Sequence, residues 1–186
     1  MTDITKARIL ILATHGFEQS ELEVPRDKLR DAGADVKIAS LDGAAIKGWD
    51  GDDWGSPVEA DLALEDVTAE DYHALVLPGG QINPDLLRVE DKAVSLIRAF
   101  HDSGRIIAAV CHAPWLLVEA GVAKDRDMTS YHSIRTDVMN AGATWHDREV
   151  VTDRGIVTSR NPGDLDAFVA KIVEEIGEGR HERDAA

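Results

Sequence analysis

Three runs of consecutive apolar residues, "ARILILAT" (7–14), "YHALVLPGG" (72–80) and "RIIAAV" (105–110), constrain the fold more than anything else in the chain. Their side chains are apolar at neighbouring positions rather than at alternate ones. A strand with that pattern needs cover on both faces, which is the situation inside a parallel sheet. Parallel strands in turn need long crossovers, and the intervening sequence supplies them. Residues 20–33 have helical spacing through Leu22, Leu29 and Ala32, with Pro25 in the first turns and Gly33 as a stop. Residues 90–104 form an amphipathic helix closed by Gly104, shorter helices are expected over 113–121 and 133–142, and a closing helix over 163–177. "NPDLLR" reads as a helix start, with Asn83 as cap, Pro84 in first position and Asp85 facing the dipole. A further strand is expected over 35–40, a hairpin excursion over 43–61, and two short strands around an Asp-Arg-Gly turn over 148–160. Strands alternating with helices predict an α/β sandwich with a mostly parallel central sheet flanked by helices. The 186 residues suit one domain, with a core over 7–177 and a frayed charged tail over 178–186.

Charge narrows the partners. Thirty-five acidic residues against 20 basic ones give a net charge of −15, a field that repels phosphate backbones and anionic lipid. No basic patch offsets it, so neither nucleic acid nor a membrane is expected as partner. The first residues hold no basic leader followed by a long apolar region. The single cysteine excludes an internal disulfide and fits a reducing compartment, so a cytoplasmic protein is expected.

That cysteine, Cys111, lies where the apolar strand 105–110 gives way to a Pro-led helix. One reading is a small buried hydrophobe. The position favours another: a thiol on a sharp turn, aimed into a cleft, with free N–H groups and a helix N-terminus favouring thiolate. Ligands of open α/β sheets bind beyond the carboxyl ends of strands. "THGFE", "LPGG" and "VCHAP" all stand at such ends. His112 follows the cysteine, its side chain starting in a divergent direction, and its N–H is an oxyanion donor candidate. Gly79 and Gly80 are further donors, or simply a tight turn. Glu18, if it reaches Cys111, is expected to hold the proton and donate it towards sulfur, because an ionised carboxylate would repel a thiolate. His15, Trp115, Tyr131 and His132 are candidate cleft residues. The seven histidines are scattered, without a metal or phosphate motif, so no metal and no cofactor is expected.

The ordered set "GFEQSELEVP", "ALVLPGG", "AVCHAPWLL", "TSYHSIRTDVMNAGA" and "VTSRNPGDL" resembles the PfpI branch of the superfamily that contains the parkinsonism-associated deglycase. The likeness runs from about Ala7 to Gly177. It implies a flavodoxin-like three-layer sandwich, a cysteine elbow at Cys111, and a cysteine-contacting glutamate that matches Glu18. It also implies a histidine matching His112, paired with an acidic residue of a neighbouring subunit at the position of Asp85, and hence a homodimer or larger homo-oligomer. Ala113 stands where many relatives have glycine. Without a late His-x-Glu pair, amidotransferase chemistry is excluded.

Three function classes follow. The first is a cofactor-independent, stress-protective cysteine enzyme acting on reactive carbonyls, by hydration of 2-oxoaldehydes or removal of early glycation adducts, or else an intracellular peptidase using Cys111, His112 and Asp85 on peptide substrates. The second is a redox-sensing stress protein, whose exposed low-pKa thiol oxidises to sulfinic acid. The third is an interaction scaffold, which the intact Glu18, Cys111 and His112 set argues against.

Overall fold

The computed structural model describes residues 2–182. Its elements run β1 (Arg8–Leu12), α1 (Gln19–Asp31), β2 (Asp35–Ser40), β3 (Ile46–Asp50), β4 (Asp53–Val58), β5 (Leu62–Ala63), β6 (Ala74–Leu77), α2 (Ile82–Leu87), α3 (Asp91–Asp102), β7 (Ile106–Val110), α4 (Pro114–Glu119), β8 (Asp127–Met128), α5 (Arg135–Asn140), β9 (Thr144–Trp145), β10 (Val150–Asp153), β11 (Ile156–Ser159) and α6 (Leu165–Glu178). The main sheet has the order β10-β11-β7-β6-β1-β2-β5. Every pairing in it is parallel except β10 with β11.

The three apolar runs form the centre of this sheet, and their burial explains their composition. Leu10, Leu12, Leu75, Leu77, Ile107 and Ala109 face one core, against α3, α4 and α5. Ile9, Ile11, Ala74, Val76, Ala108 and Val110 face the other, against α1 and α6. A strand covered on both sides has no solvent face, so polar residues are excluded from every position. The result is a three-layer sandwich.

The chain leaves β1 towards β2 and returns to form β6 on the other side of β1. The crevice at that reversal lies beyond the carboxyl ends of β1 and β6, the place where open α/β sheets bind ligands. The hairpin β3–β4 stands outside the main sheet and closes back on it. Gly16 N–H donates to Lys47 C=O over 2.8 Å, and Trp49 N–H donates to Phe17 C=O over 2.7 Å.

Three local expectations differ. Asn83 is not a cap: α2 begins at Ile82 after Gln81, and Asn83 is fully buried inside its first turn. There its side chain accepts from Thr14 N–H at 2.7 Å and donates to the carbonyls of Pro78 and Gly79 at 2.8 and 3.3 Å. The asparagine thus ties the end of β1 to the end of β6. The tail is ordered further than expected. α6 extends to Glu178, and His181 N–H donates to Gly104 C=O over 2.8 Å while its imidazole lies 3.0 Å from Glu175. The rest of the expected frayed tail, 183–186, lies outside the described residues. The helix expected over 133–142 is α5 alone, preceded by a 3-10 turn at His132–Ile134. Among the described residues no helix is long and apolar enough to cross a membrane.

Candidate functional site

Cys111 is the elbow. Its φ is +63°, in the left-handed region that a residue with a Cβ adopts only at a cost. The strain is held from both sides: Cys111 N–H donates to Ser159 C=O at 3.0 Å, and its carbonyl accepts from Tyr131 N–H at 2.8 Å. The turn lifts the side chain out of β7 into a cavity of about 450 Å³. Gly16, Glu18, Glu21, Trp49, Gly51, Gly80, Gln81, Ile82, His112, Tyr131 and Pro162 line it with the cysteine. The sulfur is nearly enclosed, with Cys111 6 % exposed.

The carboxyl group that reaches the sulfur belongs to Glu21, not Glu18. Glu21 is fully buried, takes Gly79 N–H on Oε2 at 2.8 Å, and lies within hydrogen-bonding range of the Cys111 thiol. Glu18 is the residue before α1 starts. Glu21 stands one turn later, so its side chain drops towards the sheet while Glu18 stays at the cavity mouth. A signal for this was present in the sequence. Glu21 belongs to the buried face of α1 with Leu22, Pro25 and Leu29, and a carboxylate on an apolar stripe is costly unless something there uses it.

Burial, opposed by the Gly79 amide, raises the Glu21 pKa from 4.5 to about 8, so this carboxyl holds its proton at neutral pH. The thiol moves in the direction opposite to expectation. Burial, and then repulsion from Glu21 once that group ionises, push Cys111 above its usual range, and the amides of Gly80 and His112 offset this only in part. The repulsion exists only after Glu21 has lost its proton. The two groups therefore titrate as a coupled pair, whose protons belong to the pair rather than to either residue.

His112 does meet the cysteine despite being its neighbour in sequence. Nδ1 lies 3.2 Å from Sγ, and Nε2 lies 3.1 Å from Ser133 Oγ. The ring is stacked on Tyr131 at 4.8 Å between centroids and edge-on to Trp115 at 5.3 Å. Burial, and then His132, lower its pKa, so the imidazole is neutral at pH 7. Ser133, whose hydroxyl can donate or accept, satisfies either tautomer.

The remaining candidates separate. Gly80, at φ +77°, has no room for a Cβ, which would strike the Gly16 carbonyl oxygen. Its N–H and that of His112 face the sulfur. Gly79 is not a free oxyanion donor, because its N–H is committed to Glu21. His15 does not line the cavity; its Nδ1 accepts Lys47 N–H at 3.0 Å and anchors the hairpin. Trp115 backs His112 rather than lining the cavity, with Nε1 donating to Asp137 at 2.7 Å. His132 packs against Tyr131 at 4.4 Å with the two rings tilted, and lines an adjoining polar hollow. Asp85 is exposed in the first turn of α2. Trp49, brought in by the hairpin, gave no sign in the sequence of belonging to the site. Among the described residues the one grouping with metal-ligand spacing is Glu175, Glu178 and His181, whose ligand atoms lie within 4.8 Å of one another; none of them lines this cavity.

A family model described as the DJ-1/PfpI family matches residues 7–175. The chain is 42% identical over 167 residues to the deglycase PfpI of Pyrococcus furiosus, covering 90% of this chain and 98% of that one. It is 40% identical over 172 residues to protein/nucleic acid deglycase 2 of Escherichia coli, covering 91% and 98% respectively. The crystal structure of Drosophila melanogaster DJ-1beta superposes with a TM-score of 0.83 at 32% identity, covering 93% of this chain and 95% of that chain. With a strained cysteine elbow at the switch point of a flavodoxin-like sheet and a family match across that whole core, the chain belongs to the DJ-1/PfpI family.

Proposed function

We propose that the protein is a cofactor-independent, stress-protective enzyme in which Cys111 adds to the carbonyl carbon of a small 2-oxoaldehyde, or of the aldehyde in equilibrium with its early amine and thiol adducts. The observation that carries this is the flanking of one sulfur by a protonated carboxyl, Glu21, and a neutral imidazole 3.2 Å away, His112. Relatives named deglycases support it.

The chemistry closes without an added oxidant. The sulfur gives its electron pair to the aldehyde carbon, Glu21 gives its proton to the carbonyl oxygen, and the thiol proton replaces it on the carboxyl, leaving a hemithioacetal. Glu21 is the acid in reach, with the amides of Gly80 and His112 as oxyanion donors. A base then moves the hemithioacetal C–H proton to the neighbouring carbonyl carbon, and the hemithioacetal hydroxyl proton passes to that carbonyl's oxygen. Neutral His112, relayed to Ser133, has the position for that step. The product is a thioester of a 2-hydroxy acid, which water cleaves to regenerate the thiol. The overall change is addition of one water to a 2-oxoaldehyde.

The test is turnover of methylglyoxal to lactate, with peptide hydrolysis and peroxide oxidation of the thiol run alongside. Cys111→Ser is expected to lose about a thousandfold or more in kcat, and undiminished turnover by that variant overturns the mechanism. Peptide cleavage that outpaces lactate formation, and that falls in Asp85→Asn, would instead favour a peptidase completed by a second copy of the chain.

A further inference from the structure

The charges around the cavity are one-sided. Its lining includes Glu18 and Glu21 and neither lysine nor arginine. Its single imidazole, His112, is kept neutral by burial, and Glu21 is kept neutral by its own burial. Glu18 therefore sets the sign at the mouth. Its carboxyl is half-buried, with only a long 3.5 Å contact from Ser20 Oγ, and the neighbouring Asp50 adds to the burial that raises its pKa. An arriving cation would relieve that strain and draw the carboxyl fully into its ionised form. Asp52 and Asp53, exposed on the tip of the same hairpin, have the same sign. Two basic groups, one on the hairpin and one just after β11, are engaged elsewhere. Lys47 lies over the Trp54 ring at 5.9 Å, and Arg160 is fastened to Asp164 and Asp147 at 2.8 and 2.7 Å. Trp49 lines the same cavity, and an indole ring attracts cations.

We infer that Glu18, backed by Asp50, is a specificity-determining pair that admits substrates with a fixed positive charge, carbonyl adducts bearing an ammonium or guanidinium group, in preference to anionic ones of the nucleotide kind. The inference rests on the reading of Cys111 as the nucleophile and adds the substrate class. Glu18 contacts the charged flank of the substrate, whereas Glu21 contacts the sulfur.

The 186-residue chain has one thiol, so covalent labelling reports on this cavity alone. Two methanethiosulfonates of similar size, one ending in trimethylammonium and one in sulfonate, are compared at pH 7. In each the sulfur of Cys111 attacks the sulfenyl sulfur, forming a mixed disulfide and expelling methanesulfinate. Rates are normalised to those of 2-mercaptoethanol and of the neutral methyl reagent. The normalised cation-to-anion ratio is expected to exceed roughly tenfold at low salt and to fall steeply in 1 M salt. It should drop towards unity in Glu18→Gln, with a partial drop in Asp50→Asn. A wild-type ratio near unity, a preference for the sulfonate, or a ratio that survives in Glu18→Gln overturns the inference. Labelling requires no turnover, so such a result leaves the carbonyl chemistry standing. Loss of the carbonyl chemistry in the lactate assay, conversely, leaves the labelling ratio unchanged.

Discussion

The sulfur of Cys111 is held by opposing influences that one substitution can separate. Burial disfavours the thiolate and an ionised Glu21 repels it, while two amides favour it and a carboxyl that retains its proton can donate towards it. Reactivity then follows loss of the first proton from the pair. The rate of Cys111 alkylation by iodoacetamide is expected to rise with pH, with a midpoint set by the pair rather than by the thiol alone. In Glu21→Gln the acidic donor is replaced by a weaker one and no proton can be shared. The midpoint should move up by about one pH unit or more. A midpoint that stays in place or falls would show that Glu21 acts on the sulfur mainly by repulsion. The difference between Glu18 and Glu21 belongs to this scale as well. The two lie three residues apart at the start of one helix, and only the inner one reaches the thiol.

At the scale of elements, the cavity depends on loops that have no regular structure of their own. Asn83, on α2, replaces the missing ladder by binding Thr14 N–H after β1 and two carbonyls after β6. Asn83→Ala leaves those backbone groups buried and unpaired. A loss of about 2–4 kcal/mol in urea unfolding is expected, with a larger fall in Cys111 labelling selectivity than in far-ultraviolet helix signal. An unchanged urea midpoint would mean that the β1 and β6 loops hold their positions without the asparagine. The hairpin β3–β4 was legible as a hairpin from its turn-rich sequence, because turn residues act locally. Its docking over the cavity through Gly16, Phe17 and His15 was not legible, because those bonds join residues about 30 positions apart.

For the whole molecule, the buried carboxyl links folding to pH. Glu21 has a folded pKa of about 8 against an ordinary value of 4.5. Between those two pH values the unfolded chain has released this proton and the folded chain still holds it. The folded state binds more protons there, so stability falls as pH rises through that window and levels off above about 8. The contribution is on the order of 3–5 kcal/mol across the window. Urea unfolding of the wild type at a series of pH values should show this decline relative to Glu21→Gln, with the two curves converging below pH 4.5. Parallel curves would mean that Glu21 ionises normally in the folded chain.

The layers of the sandwich were readable from residue types alone. A run such as Ile9–Leu12 or Ile106–Val110 is apolar at every place because both its faces are covered, and that constraint is written position by position. The elbow at Cys111 was readable for the same reason, as the residue after a strand end with a Pro-led helix opening three places later. Which carboxyl meets the sulfur, which amide remains free and which aromatic residue walls the cavity were decided only when β1, β6, β7 and the hairpin came together. Burial and hydrogen bonding depend on the distance between atoms far apart along the chain, and no local pattern encodes that distance.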